Sequence, residues 1–341
     1  MSGERNCKPL IEARDLYINF YTYAGVVKAI DGVSFKICRG ETYCLVGETG
    51  CGKSVTAKAL TGLIRPPGRI EKGRVIYYGL NGEPVDLLGL SEEELRKIRG
   101  SEISYVFQDP SASLDPLYTL GYQLSETLLE HGIISRIKEG FERAVESFKR
   151  VMMPDAEVRV KSYPHELSGG MKQRGVIGIG LSSEPKLLIA DEPTTALDAT
   201  VQDQIMDLLK ELKKNRNLTI LLITHNMGLV ADMCDRVAVM YAGRIVEEAS
   251  VYELFQNPKH PYTKALLRAV PNPVKRMDEL ESIPGTVPNL IYPPPGCRFH
   301  PRCPEVMEVC KKERPPEVYV APGHRVACWL YADRKREGGE E

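Results

Sequence analysis

Eight residues, Gly47-Glu48-Thr49-Gly50-Cys51-Gly52-Lys53-Ser54, fit the pattern G-x-x-x-x-G-K-[ST] with no departure. Gly47, Gly50 and Gly52 let backbone N–H groups turn inward around a pair of phosphates, and a following helix presents the terminus that favours negative charge. Lys53 brings a point charge to the β- and γ-oxygens, and the Ser54 hydroxyl is a Mg²⁺ ligand. A second group offers carboxylate chemistry. The apolar run Leu187–Ala190 ends in Asp191 and Glu192. Asp191 can hold the Mg²⁺ hydration shell, and Glu192 can polarise an attacking water. Gln108 closes the apolar run Ile103–Phe107, where it can touch the metal or the water, and His225 follows Thr219–Thr224, where it can reach the γ-phosphate.

Two further constellations stand apart. Ser168-Gly169-Gly170-Met171 opens a helical segment about twenty residues before Asp191 and forms another anion cradle. A chain with one nucleotide loop has no internal need for a second cradle. A partner would explain it: two cassettes docked head to tail, each gripping the other's γ-phosphate. The other is Cys297-x₅-Cys303-x₆-Cys310-x₁₇-Cys328. Four thiolates satisfy tetrahedral Zn²⁺ or a [4Fe–4S] cluster. Loose spacing in a Pro-rich segment, without tight C-x₂₋₄-C pairs, suits the larger cluster. Zinc and unligated thiols stay open, and His300 and His324 are rival ligands. Of the nine cysteines, Cys7, Cys38, Cys44, Cys51 and Cys234 are scattered.

The elements that must position these groups read as α/β. Residues 10–50 alternate as half-buried strands, with Ile18, Phe20, Val33, Phe35 and Ile37 on one phase. Thr42–Val46, the glycine-rich turn and a helix over 53–63 supply strand, loop and helix in the order a phosphate loop requires. Residues 74–87 predict a hairpin around Leu80-Asn81-Gly82-Glu83, and Ser91 to Glu94 a capping box. Residues 120–153 are helical in pattern, and 200–241 alternate helix and strand. From about residue 255 the composition turns Pro-rich, which predicts a loop-rich appendage and not a continued α/β sheet. The tail from Asp333 is charged and is expected to be disordered. The expected domains are 1–255, with a helical subdomain at about 111–180, then 256–332 with the four cysteines, and the tail 333–341.

The 341 residues allow about two domains, and a formal net charge of −1 argues against a protein that coats nucleic acid. No run approaches the ~18 apolar residues of a spanning helix, and the polar start is not a signal peptide. A cytosolic chain is expected, one that can still sit on a membrane protein.

In order along the chain, Gly47–Ser54, Gln108, Leu167–Met171, Leu187–Glu192, Ala196-Leu197-Asp198 and His225 resemble the Walker A, Q-loop, signature, Walker B, D-loop and switch-histidine motifs of ABC ATPases. The resemblance covers about residues 10–250. It implies a P-loop ABC ATPase core with antiparallel β and helical subdomains, plus the loop-rich extension. It assigns ATP and Mg²⁺ to Lys53, Ser54, Gln108 and Asp191, the general base to Glu192, γ-phosphate sensing to His225, and contacts in trans to Ser168 and Gly170. Met171 departs from the glutamine most of the family carries there. An adenine-stacking aromatic is expected about thirty residues before the lysine: Tyr23 fits, with Tyr21 a rival.

Phe107–Pro116, Tyr163–Met171, His260-Pro-Tyr-Thr-Lys264 and Gly296–Pro304 are more particular. They resemble the ATP-binding subunits of oligopeptide/dipeptide ABC importers, whose C-terminal region holds a [4Fe–4S] cluster. That resemblance implies a heterodimer with a second ABC ATPase, two membrane permeases and an external solute-binding protein, no nucleic acid, and a peripheral place on the cytoplasmic face of the cell membrane. Oligosaccharides or nickel are related cargoes. The runner-up is a soluble ABC ATPase of DNA repair or translation. Repair types carry a long coiled coil between Gln108 and Ser168, where only a modest helical segment fits, and translation types carry two cassettes. Intact Lys53, Glu192 and His225 argue against a catalytically dead partner.

Overall fold

A computed structural model describes residues 7–79, 82–194, 197–269 and 283–335. In chain order the elements are β1 (Pro9–Thr22), β2 (Gly25–Cys38), β3 (Thr42–Val46), α1 (Lys53–Leu60), β4 (Gly68–Tyr77), β5 (Val85–Asp86), α2 (Glu92–Ile98), β6 (Ile103–Val106), α3 (Pro110–Ser113), α4 (Leu120–Glu130), α5 (Ile137–Arg150), α6 (Ala156–Arg159), α7 (Gly169–Leu181), β7 (Leu187–Asp191), α8 (Ala199–Arg216), β8 (Thr219–Thr224), α9 (Met227–Met233), β9 (Arg236–Tyr241), β10 (Arg244–Ser250), α10 (Val251–Gln256), α11 (Pro261–Arg268), β11 (Glu317–Ala321) and β12 (His324–Ala327), with short 3₁₀ turns between. Two compact units result. One comprises Met1–Ile37, Thr42–Tyr77 and Thr224–Glu341, the other Cys38–Glu41 and Tyr78–Ile223.

In the first unit β1 lies between β2 and β4. Its antiparallel register with β4 runs from Ile11 opposite Tyr77 to Phe20 opposite Gly68, with irregularities around Tyr17. The alternation in the sequence has its cause here, since Ile18, Val33, Phe35 and Ile37 point into the core while Phe20 stays half-buried. A second set of strands runs β11-β12-β10-β9-β3. β3 is parallel to β9, with Tyr43 opposite Arg236 and Val46 opposite Val239, and the other neighbours are antiparallel. β11 and β12 come from the C-terminal extension, so the extension continues this sheet late in the chain, beyond the Pro-rich stretch. Within that stretch Pro261 opens α11, a helix the composition hides, because proline at the first helical position needs no N–H partner.

In the second unit β8, β7 and β6 are parallel neighbours, with Leu187 opposite both Thr219 and Ile103. Every residue of β7 is buried, as a strand covered on both faces requires. The segment 120–153 is two helices, α4 and α5. The chain turns at 131–136, where Gly132 and Ser135 interrupt the apolar spacing. Ser91 and Glu94 form the expected capping box at α2. Leu80 and Asn81, the D-loop Ala196, and the tail beyond Lys335 lie outside the described residues. Asp333–Lys335 end a 3₁₀ turn, Trp329–Lys335.

Candidate active site: phosphate loop, carboxylates and cysteines

β3 is buried throughout and hands the chain to Gly47. Gly47 has φ 151 and Gly52 φ 108, backbone that side chains rarely adopt. Space forbids a side chain as well. A Cβ on Gly47 would lie 2.2 Å from the Met240 carbonyl oxygen, and one on Gly52 2.7 Å from Ile30 Cδ1. α1 then begins at Lys53 with no side-chain cap, the arrangement that leaves backbone donors for an anion. Lys53 is buried, and its Nζ donates to the carbonyls of Gly47 (2.8 Å) and Glu48 (3.2 Å). Ser54 follows in the first turn of α1. Of the two candidate aromatics, Tyr21 is engaged: its hydroxyl donates to Glu71 at 2.8 Å, and the Arg69 guanidinium lies over its ring. Tyr23 is fully exposed in the turn between β1 and β2.

The carboxylates stand at the end of β7 in the second unit. Asp191 is buried, and Tyr105 Oη donates to its Oδ2 at 2.8 Å. Burial, and then the Asp191 charge, push the Tyr105 phenol well above its ordinary range, so the phenol stays a donor. Glu192 has φ 47, the left-handed region, a conformation that costs a non-glycine residue on the order of 1 kcal/mol or more. Its N–H donates to the Ile223 carbonyl at 2.9 Å, and its Oε2 accepts from Gln108 Nε2 at 2.9 Å. Gln108 and Glu192 meet because β6 and β7 are parallel and end side by side.

Ser168 is the N-cap of α7, and its hydroxyl accepts from the Met171 N–H at 3.3 Å. Ser168 and Gly169 are exposed. A Cβ on Gly170 would lie 3.0 Å from Val201 Cγ1 at the start of α8. Asp198 caps α8 through the Val201 N–H. His225 is exposed and directly precedes Asn226, the N-cap of α9.

The four late cysteines are all free thiols. Cys297 and Cys303 are half-buried, Cys310 and Cys328 buried. Burial pushes the Cys303 thiol up to about 11 and Cys328 up to about 12, and neighbouring thiols add to both. Two of the four are joined through their backbones, the Cys297 N–H donating to the Cys310 carbonyl at 2.8 Å. Among the described residues no group of three or more His, Cys, Asp or Glu is placed to hold a metal ion, so the expected metal-binding character of the extension is not shown. Both rival histidines are engaged: His300 Nδ1 lies 2.8 Å from the Cys297 carbonyl oxygen, and His324 Nε2 lies 2.7 Å from Glu247. Among the scattered cysteines, Cys44, Cys51 and Cys234 are buried free thiols.

Tyr105 and Arg302 escape sequence reasoning. Tyr105 becomes visible only through the parallel register, which sets Val106 opposite Ala190. Arg302 lies inside the cysteine motif, but its partner is Glu48 of the phosphate loop, bound through both oxygens at 2.7 and 3.0 Å.

A phosphate loop, a buried aspartate and a positioned glutamate are the parts of a nucleotide hydrolase. Comparison with known proteins agrees. Residues 30–195 match the ABC transporter family, and residues 246–310 match the oligopeptide/dipeptide transporter C-terminal region. The chain is 48% identical to the dipeptide transport ATP-binding protein DppD of Lactococcus lactis subsp. cremoris, over 95% of this chain and 92% of that one. It is 47% identical to the oligopeptide transport ATP-binding protein OppD of Bacillus subtilis, over 94% of this chain and 88% of that one. Among solved structures, the dimeric post-hydrolysis ATP-binding cassette MJ0796 bound to ADP and Pi superposes with TM-score 0.63 at 26% identity, covering 71% of this chain and 99% of that chain.

The chain belongs to the ATP-binding proteins of ABC transporters, in the branch that carries the oligopeptide/dipeptide C-terminal region. Its reaction is ATP hydrolysis. The repair and translation alternatives find no support among these relatives. The segment between Gln108 and Ser168 holds only short helices, the longest being the 14 residues of α5.

Proposed function

We propose that this chain powers the import of dipeptides or short oligopeptides, working at the cytoplasmic face of the membrane beneath two permeases fed by an external solute-binding protein. The observation that carries the cargo is that the likeness to dipeptide and oligopeptide transport proteins runs through the C-terminal region and does not stop at the cassette. Among the described residues no helix is long and apolar enough to cross a membrane, which suits a subunit that borrows its membrane path from partners.

ATP is held with its adenine on Tyr23 and its phosphates in the Gly47–Ser54 loop, where Lys53 meets the anionic oxygens. Ser54, Gln108 and Asp191 are the residues that would hold Mg²⁺, which when bound would supply charge neutralisation on the phosphates. Glu192 orients and deprotonates the attacking water, and Gln108 keeps its carboxylate aimed. His225 contacts the γ-phosphate. Ser168 and Gly170 serve the pocket of a second ABC ATPase. The exposure of Ser168 and of Gly169 between the two supports this, as does the dimeric state of the MJ0796 cassette. ATP that binds the closed pair ~10⁴-fold better than the open one swings a two-state equilibrium between its extremes.

The cassette occupies 1–255 and the extension 256–332. Four free thiols in this one segment, two of them, Cys297 and Cys310, hydrogen-bonded through their backbones, support a [4Fe–4S] cluster, which would staple a segment with a small core of its own, Val318, Val326 and Cys328. Protein purified without oxygen is expected to absorb visible light, to bleach on reduction and to hold roughly four iron atoms per chain. Colourless protein with stoichiometric zinc overturns the cluster.

The decisive experiment is reconstitution of the chain with its permeases, its partner ATPase and its binding protein in liposomes. ATP-dependent uptake of labelled dipeptides is expected. Uptake of an oligosaccharide or nickel with no peptide uptake refutes the cargo.

A further inference from the structure

The cysteine-bearing extension reaches the phosphate loop through one side chain. Arg302, buried in the 3₁₀ turn His300–Arg302 immediately before Cys303, forks onto both carboxylate oxygens of Glu48 at 2.7 and 3.0 Å. Glu48 is the second residue of the loop, between Gly47 and Thr49. The guanidinium is fixed on its other sides: Nε donates to the Pro284 carbonyl at 2.8 Å, and the two terminal nitrogens reach the Tyr241 hydroxyl and the Ile283 carbonyl at 3.3 Å. Tyr241 forms one wall, with the Arg302 guanidinium over its ring. From the same side Tyr262 of α11 accepts the Glu48 N–H at 2.9 Å. Tyr241, Tyr262 and Phe299 pack together as an aromatic wedge beneath the loop. Glu48 is therefore held at backbone and side chain alike by residues beyond Ser250. Its carbonyl in turn accepts from Lys53 Nζ.

We infer that Arg302 is a positioning residue for ATP binding. Through Glu48 it sets the path of the phosphate loop, so that the C-terminal extension tunes the nucleotide affinity of the cassette. A bidentate charged pair with both partners largely shielded is a stiff connection, because the planar fork fixes orientation as well as distance. The peptide backbone it holds is the one whose N–H groups must meet phosphate oxygens, and small displacements of such groups are costly. The extension then does more than cover a sheet edge. It is part of what makes the loop competent.

This inference rests on the nucleotide-binding reading of the loop and not on the cargo. The test is ATP binding by isothermal titration calorimetry with Mg²⁺, together with KM and kcat for hydrolysis, on the full chain. Arg302→Gln and Glu48→Gln are each expected to weaken ATP binding by about tenfold. KM should rise more than kcat falls, and Arg302→Lys should fall between Arg302→Gln and wild type. The double variant should bind no more weakly than the worse single one, because the two side chains act as one unit. If Arg302→Gln fails to fold, Glu48→Gln decides alone, since it leaves the other bonds of Arg302 in place. Wild-type affinity in Glu48→Gln, or full additivity in the double variant, overturns the proposal. A wild-type chain that binds no ATP overturns the nucleotide reading itself, and the proposal with it.

Discussion

Glu192 is held in a left-handed backbone conformation with its carboxylate tied to Gln108, two constraints that fix one side chain against its own conformational preference. Strain kept at a position is a sign that the position's aim matters. Replacing Glu192 by Gln keeps the shape and removes the base. Phosphate release measured at steady state should fall by about 10²- to 10⁴-fold, while ATP affinity stays near wild type. Unchanged turnover removes Glu192 from the role. Tyr105 acts through Asp191. Tyr105→Phe deletes the donor to Asp191, and the Mg²⁺ concentration for half-maximal hydrolysis is expected to rise roughly three- to tenfold, about the worth of one net hydrogen bond. A titration of activity against Mg²⁺ that superposes on wild type would show that the bond only packs the strand.

At the scale of elements, local chemistry accounts for what the sequence makes legible. Ser91 caps α2 and Glu94 closes the box in return, and both sit where the pattern places them. Ser91→Ala should cost about 1 kcal/mol in denaturant unfolding and leave ATP affinity alone. A change in affinity would mean that α2 influences the site. The strands β1 and β2 are equally readable from period-two burial, β7, β8 and β9 from short unbroken apolar runs, and the loop–helix Gly47–Leu60 from glycine geometry, because each signal is written within a few residues. The contacts that join distant segments are not. β11 and β12 lie about seventy residues beyond β10, and nothing in Glu317–Ala321 announces its neighbour. Arg302 and Tyr105 remain hidden for the same reason, each meeting a partner more than eighty residues away. The break between α4 and α5 is a smaller case, since a glycine in a helical pattern does not say whether the helix bends or stops.

For the molecule as a whole, pH probes how the extension is attached. His260 is fully buried, and its pKa is lowered from the ordinary 6.5 to about 4, by burial first, opposed by the Glu247 charge and aided by that of Lys264. The folded chain therefore keeps His260 neutral where the unfolded chain would protonate it, so stability is lost as pH falls from 6.5 towards 4. Glu247 works in the same direction. Burial alone would raise its pKa, but hydrogen bonds from His324 and from the backbone of His260 and Lys259 hold it below the usual range, and stability is lost as that carboxylate is protonated. Thermal unfolding between pH 7 and pH 4 is expected to fall steeply. His260→Asn, which keeps an acceptor for the Tyr262 N–H, should flatten the curve by up to about 3 kcal/mol. A curve of wild-type slope would place the pH sensitivity elsewhere.

β10 carries Glu247 and Glu248 side by side, both buried. The partners of Glu247 named above, Lys259, His260 and His324, all come later in the chain, and Glu248 draws on Arg325 as well as on Arg236 and Tyr43. An excised cassette cut after Ser250 would keep every nucleotide motif and yet lose each of these partners of Glu247 together with the strand β12 that pairs with β10, leaving β10 an open edge with an acidic pair on it. Anyone grafting this motor onto another transporter must therefore take its tail as well.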